Sequence, residues 1–192
     1  LKIKLNLYNR YMFFGRKAFS DARNIIKNSN VIKNTPLELS ERLSIKYNAN
    51  IFLKREDLQT VRSFKVRGAY YKIFKNYLNN NGISITTCSA GNHAQGVAAT
   101  CNTLNLDHTI FVPNSTPKQK IDRIKHFGGD NLKLEVCGDS FQESMNRSIS
   151  YSDKNKTLFV HPFNDYDVML GQSTVGQEIY DKINPDFIFA CV

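Results

Sequence analysis

The chain alternates between short apolar runs and amphipathic segments over most of its length. Short runs rich in β-branched and aromatic residues are typical of buried strands, and apolar residues spaced three to four apart are typical of helices. Strands are predicted at 51–54, 83–88, 109–112, 132–136, 158–161 and 186–192. Helices are predicted over 63–77, 92–104, 117–127, 140–154 and 175–182.

This alternation predicts an α/β fold with mostly parallel sheets and right-handed crossovers. Helix starts are indicated by Ser63, by the pair Thr116-Pro117, and by Asp139 or Ser140. The run at 186–192 has the pattern of a buried strand, yet no helix follows to cover the sheet. We therefore expect the chain to stop within a domain.

Composition narrows the classes of protein that remain. The 192 residues include 26 Lys and Arg against 17 Asp and Glu, a formal charge of +9. These charges are scattered and mixed with acids, so nucleic-acid binding is not favoured. No apolar run approaches the roughly 18 residues of a membrane span, and residues 1–14 lack the continuous apolar core of a signal peptide. The four cysteines form no zinc-binding pattern, so we expect a reduced, cytoplasmic protein without a metal.

Lys65 is the first residue with candidate chemistry, because it lies where a loop leads into a helix. The positive end of the helix dipole, the neighbouring Phe64 and the nearby charge of Arg67 all favour a neutral amine. A neutral amine is the form that Schiff-base chemistry requires. The alternative is an ordinary solvated lysine.

The second candidate is the loop S-A-G-N-H-A-Q-G at 89–96, where a predicted strand ends and a helix begins. Free backbone N–H groups at a helix N-terminus form an anion site, and the Ser89 hydroxyl could hold a carboxylate. Asn92 could donate to a phenolate-type oxygen, or it could simply cap the helix. His93 is a candidate general base, or a histidine used in packing. The spacing does not fit a dinucleotide fingerprint.

Several segments, taken in order, resemble the fold-type II pyridoxal-phosphate enzymes, and most closely the threonine dehydratase (threonine ammonia-lyase) family. The resemblance covers the chain from about Thr35 to Val192. The matching motifs are T-P-L at 35–37, L-K-R-E-D-L-Q at 53–59, S-F-K-V-R-G-A at 63–69, S-A-G-N-H-A-Q-G at 89–96, T-P at 116–117 and H-P-F at 161–163.

The resemblance implies two mostly parallel sheets flanked by helices, truncated in this chain. Residues 1–56 would begin a large pyridoxal 5'-phosphate (PLP) domain, residues 57–157 would form a small domain, and residues 158–192 would return to the large one. Lys65 would bind PLP covalently, Phe64 would pack near its ring, and Asn92 would bind its ring oxygen. The substrate-binding loop would be formed by Ser89, Ala90, Gly91, Asn92 and His93.

The resemblance further implies a lyase that converts L-threonine to 2-oxobutanoate and ammonia, the first step of isoleucine biosynthesis. The expected partner is a small amino acid, with no nucleic acid or membrane, and the full-length enzyme would be a homo-oligomer. The family's Gly-rich phosphate loop would follow residue 192, so we expect this chain alone to be inactive. Ser173 stands where the family usually has Gly or Ala, which would crowd a backbone contact. Serine dehydratase, serine racemase and an inactive remnant remain alternatives.

Overall fold

The computed structural model describes residues 15–190. The segment 1–14, considered above as a signal peptide, and the last two residues of the strand predicted at 186–192 lie outside this range. The helices are α1 (Arg16–Lys27), α2 (Glu41–Tyr47), α3 (Lys65–Tyr77), α4 (Asn92–Thr103), α5 (Lys118–Gly128), α6 (Phe141–Asn155) and α7 (Tyr166–Tyr180). The strands are β1 (Leu37–Leu39), β2 (Phe52–Lys54), β3 (Ile85–Cys88), β4 (His108–Val112), β5 (Leu132–Val136) and β6 (Leu158–Phe159), with a 3₁₀ turn at Glu56–Leu58.

A four-stranded parallel sheet in the order β5-β4-β3-β6 forms the centre of the structure. Every residue of β3 and β4 is buried, as expected for central strands covered on both faces. Helices α3, α4 and α5 pack on one face through clusters that include Ile85 and Ile110. Helix α6 packs on the other face through Met145, against Cys88 and Phe111. The predicted α/β fold with a parallel sheet is confirmed.

The second sheet in the described range differs from the expectation of parallel strands. It contains only β1 and β2, which pair antiparallel with Leu37 opposite Lys54 and Leu39 opposite Phe52. The short α2 between them reverses the chain direction, whereas a parallel pair needs a longer crossover. Leu39, Phe52 and Leu53 remain 39–49% exposed on this sheet.

Several predicted boundaries shift in the structure. Ser140 caps α6, since its side chain accepts a hydrogen bond from the Glu143 N–H. Helix α5 begins one residue late, with Pro117 rather than Thr116 at the cap position. Helix α7 begins at Tyr166 rather than at residue 175, because the Asp165 carboxylate caps it by accepting from the Val168 N–H. Residues 186–190 form no strand and pair with none of the described strands.

Helix α3 lies between α4 and α7 at main-chain contact distance. A Cβ added at Gly96 of α4 would lie 2.9 Å from the Val66 Cα. A Cβ added at Gly171 of α7 would lie 2.6 Å from the Arg67 carbonyl oxygen, and one at Gly68 would lie 2.5 Å from the Val168 carbonyl oxygen. Only glycine permits these approaches, so α3 is held directly between the backbones of its neighbours. None of the helices described over 15–190 is long and apolar enough to cross a bilayer.

Candidate active site

An open cavity of about 320 Å³ lies at the carboxyl end of β3, where ligands bind in open parallel sheets. Strand β3 ends at Cys88, and the chain turns through residues 89–91 before α4 begins. The cavity is lined by Lys65, Ser89, Asn92, His93, Phe141, Pro162 and Phe163. Four of the residues singled out in the sequence therefore meet at one site: Lys65, Ser89, Asn92 and His93.

Lys65 is the first residue of α3, which fixes its backbone at the wall of the cavity. Its N–H donates to the Ser63 Oγ at 3.2 Å, but Phe64 rather than the predicted Ser63 occupies the cap position of α3. Phe64 is not among the residues that line the cavity, but the face of its ring lies 5.3 Å from the Lys65 Nζ. An aromatic face at this distance attracts a cation, which is opposite in sign to the effect expected of Phe64 from the sequence.

The loop between β3 and α4 presents Ser89 and Asn92 to the cavity. Gly91 occupies the cap position of α4, and Asn92 is the first helical residue with an exposed side chain. The alternative of Asn92 as the helix cap is therefore wrong. Ala90 and Gly91 contribute the turn itself: Ala90 packs on the apolar cluster beside α4, and the Gly91 N–H donates to the Ser89 Oγ at 3.3 Å.

His93 is almost fully buried beneath this loop, at 3% exposure. Its Nε2 lies 3.2 Å from the Val160 carbonyl oxygen. Because a carbonyl only accepts, Nε2 carries the proton and the Nδ1 lone pair is left buried without a partner. Burial, reinforced by the charge of Lys65, lowers the pKa of His93 to about 4. His93 is therefore a neutral, packed imidazole that supports the loop, which favours packing over a general base.

We expect His93 to make the free energy of unfolding depend on pH. Its folded pKa of about 4 lies below the ordinary 6.5, so the unfolded state takes up the proton first on acidification. Stability from this group is complete above pH 6.5 and declines as the pH falls toward 4. The total loss is about 3 kcal/mol.

Urea denaturation of the parent and of His93→Gln between pH 7 and pH 4 measures this effect, since glutamine can donate to the Val160 carbonyl but does not titrate. The stability advantage of the parent should shrink on acidification by about 3 kcal/mol. Burial also lowers the pKa of His108. Its contribution to the pH dependence cancels in the comparison because both proteins contain it. An advantage that stays constant with pH would contradict the assignment.

The segment H-P-F at 161–163 contributes a further wall of the cavity. The His161 Nδ1 accepts hydrogen bonds from the N–H groups of Phe163 at 3.3 Å and Asn164 at 2.9 Å, which closes a tight turn after β6. This turn presents Pro162 and Phe163 to the cavity. Phe141, the first residue of α6, supplies a second ring. Sequence reasoning missed Phe141 as a site residue, although the signal available in the chain was an aromatic residue directly after the predicted helix cap Ser140.

A buried ion cluster lies on the side of α3 away from the sheet. The Arg67 guanidinium, 0% exposed, donates to Glu56 at 2.7 and 2.8 Å and to Glu178 at 2.7 and 2.9 Å. Lys54 completes the cluster by pairing with Glu178 at 2.6 Å. Burial opposes the charge of Arg67, but the hydrogen bonds that its guanidinium donates to both carboxylates outweigh burial and raise the pKa of Arg67.

This cluster changes two interpretations of the sequence. Arg67 is neutralised by two carboxylates, so it does not act on Lys65 as an unpaired like charge. The charged run K-R-E-D at 54–57 by itself predicts a local salt-bridge cluster, and this holds only for Arg55, which pairs with Asp57 and Glu38 at the surface. The other charges of the motif connect β2 and the 3₁₀ turn to α3 and α7.

The residues that depart from the family pattern are accommodated. The Ser173 Oγ donates to the Leu170 carbonyl at 2.6 Å, and Ser173 borders a separate cavity between α1 and α7. The close backbone contact of α7 is made by Gly171, so the expected crowding by Ser173 does not arise. Thr87 and Cys88 also depart from the pattern, since the resemblance implies smaller residues there. Both are buried in β3, where the Thr87 Oγ1 donates to the Val160 carbonyl at 2.7 Å.

Comparison with known proteins identifies the family. The family model described as "Pyridoxal-phosphate dependent enzyme" matches residues 29–192. The chain belongs to this family. The family match covers Lys65, the loop at 89–96 and the H-P-F turn, so all elements of the cavity lie within it. Within residues 15–190, no group of three or more His, Cys, Asp or Glu could hold a metal ion.

The relatives of this chain include proteins named as biosynthetic threonine dehydratases and as a threonine deaminase. It is 44% identical over 167 residues to the biosynthetic L-threonine dehydratase of Halalkalibacterium halodurans, covering 84% of this chain and 40% of the relative. It is 46% identical over 164 residues to that of Lactococcus lactis, covering 85% and 39%. The processed threonine deaminase isoform 2 of Solanum lycopersicum superposes with a TM-score of 0.77 and 36% identity, covering 88% and 47%. The chain thus spans about two fifths of the curated relatives' length.

Proposed function

We propose that this chain provides the lysine and the asparagine loop of a PLP-dependent lyase that converts L-threonine to 2-oxobutanoate and ammonia, the first step of isoleucine biosynthesis. One observation carries the proposal: Lys65 and Asn92, which are 27 positions apart in the sequence, line the same cavity. Threonine as the substrate is supported by the names of the relatives that are 44–46% identical.

The cavity residues fit PLP. Lys65 supplies a primary amine for the cofactor's aldehyde, and Asn92 supplies an exposed amide for its ring oxygen. The rings of Phe141 and Phe163 offer apolar walls, and the Phe64 ring lies 5.3 Å from the Lys65 Nζ. When bound, PLP supplies an electron sink for the pair released by bond cleavage at the substrate Cα.

The protein's own groups hold the substrate and move its proton. The first N–H groups of α4, at Asn92 and His93, and the Ser89 hydroxyl bind the substrate carboxylate, with Ala90 and Gly91 shaping the turn. This grip fixes the substrate Cα relative to α3. The Lys65 Nζ then removes the α-proton, because it is the amine that faces the same cavity.

We further propose a division into domains like the one that the resemblance implies. We place residues 1–56 in the first part of a large domain, 57–157 in a small domain and 158–192 in the return to the large domain. Strand β6 pairs with β3, so the sheet of the small domain takes up two residues beyond this boundary. We place the enzyme in the cytoplasm as a homo-oligomer acting on a free amino acid.

Borohydride trapping tests the role of Lys65. The protein is incubated with PLP, the Schiff bases are reduced, and the pyridoxyl-lysines are mapped by mass spectrometry. We expect Lys65 to be labelled at least about tenfold more than an exposed lysine such as Lys125, because its pocket orients the aldehyde. Lys65→Ala should remove this selectivity, and the matched control Lys125→Ala should preserve it. Equal labelling of Lys65 and Lys125 would reject the assignment.

A substrate panel tests the reaction. Ammonia release from L-threonine and L-serine is measured on one preparation of the full-length protein with PLP, because this chain alone is expected to be inactive. A higher kcat/KM for threonine supports the proposal, and a higher value for serine favours a serine dehydratase or racemase. Release from neither, with PLP in excess, favours the inactive remnant.

A further inference from the structure

The side chain of Gln172 reaches from α7 across to the first turn of α3. Its Nε2 donates to the Lys65 carbonyl oxygen at 3.3 Å. Its Oε1 accepts from the Gly68 N–H at 3.2 Å. Both ends of this one amide are therefore engaged by the backbone turn that begins with Lys65.

The chemistry of the two partners fixes the orientation of this amide. A carbonyl oxygen only accepts and an N–H only donates, so a flipped amide would lose both hydrogen bonds. Gln172 is therefore hydrogen-bonded to the backbone of both Lys65 and Gly68. These two bonds resist rotation of the first turn of α3 about the helix axis.

The glycine contacts bring Gln172 within reach of that backbone. A Cβ at Gly68 would lie 2.6 Å from the Gln172 Nε2, and a Cβ at Gly171 would lie 2.6 Å from the Gly68 Cα. Because Gly68 and Gly171 have no side chains, α7 packs directly against α3. The amide of Gln172 lies between the two helices.

We propose that Gln172 is a positioning residue: its amide holds the backbone of Lys65 in the rotation that directs the Lys65 amine into the cavity shared with Asn92. Gln172 is not among the cavity-lining residues, so it acts only through Lys65. The effect of Gln172 on PLP labelling rests on the proposed role of Lys65. Its effect on the backbone of the first turn of α3 does not.

The test compares three variants with the parent protein. Gln172→Leu keeps the size of the side chain and loses both hydrogen bonds. Gln172→Glu keeps the acceptor for the Gly68 N–H but places a carboxylate against the Lys65 carbonyl. The control Gln177→Leu alters the same helix, where the Gln177 Nε2 donates to the Phe19 carbonyl at 3.4 Å, away from Lys65. The readouts are the rate of borohydride-trapped PLP labelling at Lys65, amide hydrogen exchange over residues 65–69, and Tm.

In Gln172→Leu we expect the Lys65 labelling rate to fall about tenfold and exchange over 65–69 to accelerate by a similar factor. Gln172→Glu should lie between this variant and the parent. Gln177→Leu should leave both readouts within about twofold of the parent even where its Tm falls equally, which separates positioning from general stability. Equal changes in Gln172→Leu and Gln177→Leu, or no change in either, would overturn the proposal.

The two proposals fail in different ways. If Lys65 is not labelled in the parent protein, the proposed function falls, and the exchange comparison alone decides whether Gln172 holds the turn. If Lys65 is labelled but Gln172→Leu changes neither readout, only the positioning role falls.

Discussion

Replacing Arg67 with methionine should lower the free energy of unfolding by about 3–5 kcal/mol, the cost of breaking a buried ion pair by removing one partner. Methionine fills a similar volume but leaves Glu56 and Glu178 facing each other in a site with little water. Lys54 would remain as the one described cation within reach of Glu178. Urea denaturation at pH 7 measures the loss.

The control for this prediction is Arg55→Met, which removes an arginine pairing with Glu38 and Asp57 at the surface. Exposed pairs contribute little because water screens them, so its effect should be much smaller. The double variant Arg67→Met/Glu178→Gln should lose less than the sum of its single variants, since it removes a stranded charge. Equal losses of unfolding free energy in Arg67→Met and Arg55→Met would show that the buried cluster stabilises the protein no more than a surface ion pair does.

Replacing Gly171 with alanine should destabilise the protein by about 2–3 kcal/mol, the usual cost of overpacking a tight core. The added methyl would lie 2.6 Å from both the Arg67 carbonyl oxygen and the Gly68 Cα, and backbone atoms cannot rotate away. Helices α3 and α7 must therefore separate, which also weakens both hydrogen bonds of Gln172. The free energy of unfolding and the Lys65 labelling rate should fall together.

Gly176, on the same helix, gives the matched control. A Cβ at this position would meet nothing within 4 Å. Alanine there should stabilise the protein by up to about 1 kcal/mol, because it is the better helix former. If Gly171→Ala also stabilises the protein, the close contact between α3 and α7 does not constrain the fold.

The sequence predicted the central sheet well because each strand combines a local apolar run with nearby turn signals. Strands β3, β4 and β5 appear within about two residues of their predicted positions. Helix α1 was not predicted; Gly15 offers no side-chain cap and its first turn has no acid. The predicted strand at 186–192 fails over its described part, since an apolar run becomes a strand only when another strand pairs with it.

The part of the site that could be predicted from the sequence is the part with local sequence signals. Lys65 and the loop containing Asn92 each follow a local signal, the start of a helix after a loop or strand. The ion cluster around Arg67 joins residues up to 124 positions apart, and the Gln172 contact joins residues 107 apart. No local pattern encodes which distant side chain meets which backbone turn, so these contacts become visible only in three dimensions.

The bare backbone contact on both sides of α3 has a consequence for redesign. Because no side chain stands between the backbones at Gly96 or Gly171, a shift of either neighbouring helix must displace the backbone of α3, which begins at Lys65. Libraries intended to broaden substrate choice should therefore leave these glycines fixed. They should vary Phe141 and Phe163, whose exposed rings border open space and can change size without moving the lysine.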